Sequence, residues 1–195
     1  DLVWEGLTAT LPAIRRILPA LRSLASGLEM RLHLITDLDA PRYMNRFRPR
    51  QTVDLVAEWG IDVQLHQWSA DKLAEVSSIS DMAIVPVDLT DPMAVGKPEN
   101  RMRIFWRLGL PVLASDTPSH RRAMNVAGLS DQALCTTSDD WMEALGRYAE
   151  DHELRSVDGE MGHVAALAAA EGLPLEAMKK ASFMTLGMSS TFFTR

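Results

Sequence analysis

Lys97-Pro98-Glu99-Asn100-Arg101-Met102-Arg103-Ile104-Phe105-Trp106-Arg107-Leu108-Gly109-Leu110-Pro111-Val112-Leu113-Ala114-Ser115 reads as a basic loop, a short helix and a buried strand in one run. From Asn100 to Leu108 the residues Met102, Phe105 and Trp106 recur at helical spacing and supply an inner side, and Gly109 stops the helix. Leu110 to Ser115 follows as a continuous apolar strand. The helix start presents free N–H groups and a positive dipole end beside Lys97 and Arg101. That combination suits a diphosphate.

The same alternation extends in both directions. Upstream, Leu2 to Trp4 reads as a buried strand, and Leu11, Ile14, Leu18, Leu21 and Ala25 as a helix with Thr10 as N-cap, Pro12 in its first turn and a kink at Pro19. Arg31 to Thr36 is a strand and Asp39 to Arg50 a long loop. Gln51 to Trp59 is a helix ended by Gly60, Ile61 to Trp68 an alternating strand, and Ser69 the cap of a helix carrying Leu73, Val76 and Ile79. Met82 to Val85 is a strand, and Asp88 to Glu99 a second long loop. Downstream, a helix over Ser119 to Ala127 has Ser119 as a cap, Gln132 to Thr136 is a short strand, and Ser138 caps a helix burying Trp141, Leu145 and Tyr148. Helices at His163 to Ala170 and Pro174 to Met184 close the chain.

Six near-continuous apolar strands separated by helices predict an α/β fold: a Rossmann-like, doubly wound parallel sheet with helices on both faces. Residues 1–155 form this sheet domain in this reading. Residues 156–195, rich in Ala, Gly and Met, form a helical tail that packs on the same domain or on a missing one. Ligands in such sheets sit beyond the carboxyl ends of the strands at the topological switch point, so the loops after Trp4, Thr36, Val87 and Ser115 should border any site.

The composition fits this reading: 195 residues, 47% hydrophobic, 24% charged and a net charge of −6. The acidic balance argues against a nucleic-acid partner. One cysteine, Cys135, excludes an internal disulfide and points to a reducing cytoplasm, with the thiol a buried apolar residue. No apolar run is long enough to span a bilayer, which leaves peripheral membrane association open. Residues 1–50 and 101–125 are net basic, and 51–100 and 126–160 net acidic. Folding could gather Arg42, Arg46, Arg48 and Arg50 with Arg101, Arg103, Arg107, Arg121 and Arg122 into an anion site.

Several site signatures are missing. The turn after the first strand, Glu5-Gly6-Leu7-Thr8-Ala9-Thr10, has one glycine where a dinucleotide fingerprint needs three. Gly96-Lys97 lacks the earlier glycine and the following hydroxyl of a P-loop. No H-E-x-x-H, paired Cys or G-x-S-x-G occurs. Asp37 and Asp39, just after a strand, are a pair of the kind that holds a divalent cation, which keeps a metal-dependent, phosphatase-like hydrolase as a third reading.

The stretch from Lys97 to Ser115 resembles the carboxy-terminal, donor-binding domain of GT-B fold glycosyltransferases of the retaining group 1, family 4-like type. There a Lys-containing loop, a helix and a G-x-P-V-[VIL]-A-[ST] strand recur, and Val3-Trp4-Glu5-Gly6-Leu7-Thr8 is similar to the first strand and glycine loop of that domain. The order of elements agrees from residue 1 to about 155. The resemblance implies a nucleotide-diphosphate sugar as donor, no required cofactor or metal, and transfer to a polysaccharide or glycoconjugate. It implies Glu5, Gly6, Thr8, Lys97, Asn100 and Arg101 as donor-binding residues, with Glu99, Ser119 and His120 as further candidates, and assigns no catalytic residue. The acceptor site would belong to an amino-terminal domain that this chain does not contain. The family's Glu pair falls on Gly96 and Ile104, leaving Glu99 as a partial substitute. Loss of that pair makes a non-catalytic binding module of the same fold the second reading.

Overall fold

The computed structural model describes residues 1–40, 50–129, 131–172 and 174–175. Six strands form one parallel sheet: β1 (Leu2–Glu5), β2 (Arg31–Thr36), β5 (Asp62–Gln67), β6 (Met82–Val85), β7 (Val112–Ser115) and β8 (Leu134–Cys135). The two short strands β3 (Asp39–Ala40) and β4 (Arg50–Gln51) pair separately and antiparallel. The sheet order is β5-β2-β1-β6-β7-β8. Growth from β1 runs outward through β2 to β5 and then returns to β6 on the other side of β1. This is the order of a Rossmann sheet, and it puts the switch point between β1 and β6. All four residues of both β6 and β7 are buried. Because successive side chains point to opposite faces, both faces of the sheet are covered.

The covering helices are α1 (Leu11–Gly27), α2 (Thr52–Val56), α3 (Ala70–Ser78), α4 (Pro92–Val95), α5 (Asn100–Arg107), α6 (Pro118–Ala127), α7 (Ser138–Glu150) and α8 (His152–Glu171). Helix α1 packs on α7, whereas α8 packs on α5 and α6. Pro19 is absorbed within α1. Both Pro19 and Arg15, whose carbonyl loses its helical donor there, lie on the exposed side, where water can replace the lost bond.

Three caps differ from expectation. The Thr10 hydroxyl donates back to the Leu7 carbonyl at 2.8 Å, closing a 3-10 turn, so it caps no helix N–H. Thr137, not Ser138, caps α7, because Asp140 stands three residues on: the Thr137 hydroxyl accepts from the Asp140 N–H at 3.1 Å and the Asp140 carboxylate accepts from the Thr137 N–H at 2.8 Å. Thr117, not Ser119, caps α6. Ser69 caps α3 as expected.

The helix anticipated at 163–170 is longer and starts at His152. Gly159 and Gly162, which weaken the helical signal locally, are points of close approach: a Cβ on Gly162 would lie 2.3 Å from the Trp106 ring, and one on Gly159 would lie 2.6 Å from the Gly109 carbonyl oxygen. Polar ties reinforce the contact. The Tyr148 hydroxyl bonds the buried Asp158 carboxyl, and His163 Nδ1 donates to the last carbonyls of α5, Trp106 at 3.2 Å and Arg107 at 3.1 Å. The helix expected over Pro174–Met184 falls almost wholly outside the described residues. Cys135 is buried, as anticipated, and burial pushes its thiol up to about 12. The folded chain should resist alkylation at pH 8 until denaturant exposes Cys135.

His33 on β2 and His66 on β5 share a hydrogen bond, Nδ1 to Nε2 at 3.0 Å, so one ring must donate and the other accept. A proton added to the accepting nitrogen makes both facing nitrogens donors, and the bond is lost. Burial, then the Arg31 charge, lowers the His33 pKa against the pull of Asp62. The Asp1 carboxylate stands 3.4 Å from its other nitrogen. Since the folded pKa is depressed, the unfolded chain takes up a proton that the folded one refuses as pH drops below about 6.5. Stability from this pair is therefore complete above that pH and falls on acidification through the folded pKa, with a slope of at most about 1.4 kcal/mol per pH unit for each such histidine. Urea midpoints between pH 7.5 and 5 should show this loss, and His33→Gln should flatten it. An unchanged slope in that variant would remove the pair from the account.

Candidate functional site

A cavity of about 570 Å³ opens at the carboxyl ends of β1, β6 and β7, at the switch point. One wall is the first turn of α1 with the residues before it, Ala9, Thr10, Pro12 and Ala13. The floor is the end of β6 and its continuation, Val85 to Asp88. The remaining wall combines Asp91 and Ala94 of the α4 turn, Lys97 and Pro98, Asn100 and Arg101 at the start of α5, and Thr117 and His120 at the start of α6. The described residues of the loop after Thr36, expected at the border, do not line it.

Of the expected site residues, the structure brings Lys97, Asn100, Arg101 and His120 together around this space. Glu5 and Gly6 are one step behind. Arg101 lies over the Trp4 ring, 5.6 Å from its centroid, with its Nε 3.8 Å from the Glu5 carboxylate. A Cβ on Gly6 would lie 2.7 Å from the Trp4 ring and 2.9 Å from the Arg101 guanidinium, so only glycine lets the two stack there. Burial lowers the Arg101 pKa from its ordinary value, opposed by Glu5, yet a guanidinium stays charged. Arg101 makes no hydrogen bond among the described residues. A partly desolvated fork with unsatisfied donors is a strong anion ligand. The Lys97 ammonium likewise has no partner among the described residues. Thr8 is buried in the turn after β1, outside the lining.

Glu99 does not line the cavity. Its side chain is 8% exposed and grips Arg103, at 2.8 and 3.0 Å, and Arg122, at 3.3 Å. Burial raises its pKa, but its own backbone N–H and the two guanidiniums outweigh that and hold the carboxyl below the usual range. Glu99 therefore braces α5 against α6 and consumes two of the arginines expected at the anion site. Arg121 pairs with Asp116. Arg42, Arg46 and Arg48 lie outside the described residues. Of the two positions where the resemblance placed an acid, Gly96 lies at the end of α4 and Ile104 is partly exposed.

His120 is buried, and its Nδ1 is 2.7 Å from the Ser115 carbonyl. A carbonyl only accepts, so Nδ1 carries the proton and Nε2 keeps its lone pair. Burial lowers its pKa, against the Ser115 hydrogen bond and the charges of Glu99 and Asp116. The ring is a neutral acceptor on the cavity wall. Ser119 bonds the Lys97 carbonyl from outside the lining.

Sequence reasoning missed Asp88 and Thr117. Asp88, just past β6, accepts from Arg16 at 2.8 Å. Hydrogen bonds from the Thr90 hydroxyl and N–H, with Arg16 beyond them, hold its carboxyl below the ordinary value. Its position just past the carboxyl end of a strand was the available signal. Asp37 and Asp39 stand outside the cavity, with Asp39 held by the Gln51 amide. Among the described residues no three His, Cys, Asp or Glu side chains gather as a metal site, and no helix is long and apolar enough to cross a membrane.

No protein-family model and no curated protein matches the sequence. Solved structures do match. The catalytic domain of cholesterol-alpha-glucosyltransferase from Helicobacter pylori superposes with a TM-score of 0.57 at 11% identity, over 86% of this chain and 97% of that one. The chain has a glycosyltransferase-type fold. A glycosyltransferase from Rickettsia africae gives a TM-score of 0.61 at 11% identity over 94% of this chain, and the sucrose-phosphate synthase of Thermosynechococcus elongatus gives 0.57 at 16% over 96%. The chain spans 46% of each of these last two proteins. The Rossmann-like sheet and its helices thus share the fold of these solved structures.

Proposed function

We propose that this glycosyltransferase-type domain binds a nucleoside-diphosphate sugar in the cavity between β1, β6 and β7, as the donor half of a transferase acting on a polysaccharide or glycoconjugate in the cytoplasm. The observation that carries this reading is the pairing of two cations whose side chains have no hydrogen-bonding partner among the described residues, Lys97 and Arg101, with the start of α5 at the switch point of the sheet. Sugar transfer leaves negative charge on the departing diphosphate. Lys97, Arg101 and the N–H groups of the α5 first turn would hold that charge in place of a metal ion. Glu5, Trp4 and Gly6 orient the Arg101 fork, and His120 Nε2 would accept from a donor hydroxyl or amide. The acceptor and any general base would come from a second domain.

A binding module without catalysis is the second reading, favoured by one observation: the family's two acids are replaced by Gly96 and Ile104, and Glu99 is committed to Arg103 and Arg122. Thermal shift and calorimetry with UDP, GDP, ADP and CDP, with and without magnesium, test the shared premise. One diphosphate should stabilise the chain without magnesium, since a ligand of the folded state raises its stability, and Lys97→Ala should weaken the effect. Silence from all four would end the nucleotide reading. Turnover by the protein together with an acceptor domain then separates the transferase from the module.

A further inference from the structure

Lys97 sits on the loop between β6 and α5, and it owes its place to α6. We propose that Ser119 is the positioning residue for Lys97: its hydroxyl, at the end of a directed chain of hydrogen bonds, fixes the Lys97 backbone so that the ammonium is presented to the diphosphate. This inference rests on the reading of the cavity given above.

The direction of the chain follows from its two ends. The Thr117 hydroxyl oxygen accepts from the His120 backbone N–H at 3.2 Å, in the N-cap of α6. Its proton is then free to go to the Ser119 oxygen, 3.1 Å away. The Ser119 hydroxyl donates in turn to the Lys97 carbonyl at 2.7 Å, because that oxygen can only accept. Every proton in the chain is placed. Thr117 and Ser119 are buried, at 2% and 7% exposure, so the chain runs where water competes poorly. On its other side Lys97 donates its backbone N–H to Ala94 at 3.2 Å, which closes α4. The residue is thus clamped at both peptide groups while its side chain stays unpartnered. A long lysine side chain gains from this, since anchoring its backbone removes part of the ordering cost that anion binding would otherwise carry.

The test is a double-mutant cycle on diphosphate affinity, read by calorimetry, with Ser119→Ala, Lys97→Ala and the pair. Ser119→Ala should raise Kd about three- to tenfold, the range that one neutral hydrogen bond commands. In the Lys97→Ala background the same change should have no further effect, because Ser119 acts through Lys97. Amide exchange in the ligand-free chain should also speed up around Gly96 and Lys97 in Ser119→Ala. A merely structural serine would lower thermal stability and leave Kd, or add its effect fully on top of Lys97→Ala. Either result overturns the inference while wild-type binding keeps the cavity assignment. A wild type that binds no diphosphate removes both.

Discussion

Gly162→Ala should lower the melting temperature by roughly 2 to 8 °C, because α8 can reach α5 only where it lacks a side chain. A Cβ there would lie 2.3 to 2.6 Å from three atoms of the Trp106 ring, which is 2% exposed and has no room to turn away. Overpacking of this kind costs about 1 to 3 kcal/mol and at times more, partly offset by the roughly 1 kcal/mol by which alanine outranks glycine in a helix. A net loss of about 1 to 2 kcal/mol gives that shift for a chain of this size. Gly159→Ala should behave alike, since its Cβ would meet the Gly109 carbonyl oxygen at 2.6 Å, a backbone atom that no rotamer change can move. Gly146 supplies the control: it lies in α7 with nothing within 4 Å of its Cβ, so Gly146→Ala should be neutral or mildly stabilising. Equal melting temperatures for all three variants in differential scanning calorimetry would refute the packing of α8 described here.

Arg101→Ala should weaken nucleoside-diphosphate binding by about ten- to a hundredfold, as expected for losing hydrogen bonds to a charged group. Arg101→Lys should recover little. The planar fork stacks on Trp4 and offers several donors from one plane, which an ammonium cannot imitate. Gly6→Ala should mimic Arg101→Ala without touching the cation, since its methyl would occupy the place of the guanidinium. If calorimetry finds Gly6→Ala binding as tightly as the wild type, the stacked position of Arg101 is not the one that meets the phosphates. Raising the salt concentration should weaken wild-type binding more than that of Lys97→Ala, because fewer screened charges remain in the variant.

The strands were legible in the sequence because their burial is local information. Leu2 to Trp4, Met82 to Val85 and Val112 to Ala114 are apolar at every position, as strands covered on both faces are. The cationic start of α5 was legible for the same reason: charge, a following helix and a glycine stop all occur within one short run. Caps were less so, since Thr137 beside Ser138, or Thr117 near Ser119, differ only in what stands three residues later or across the loop.

Direction was beyond the sequence. Glu99 and Arg101 are two positions apart, which turns them about 200° around a helix axis. One faces Arg103 and Arg122, and the other faces Trp4 and the cavity. Nothing local says which, because the answer depends on where α6 and β1 lie. Gly159 and Gly162 looked like a weak stretch of helix until Trp106 and Gly109 came to rest against them. Local periodicity and charge thus determined the elements, their α/β class and the cations available. The order of the strands, the partner of each arginine and the place of Lys97 were decided only by packing, because each depends on contacts between residues far apart in the chain.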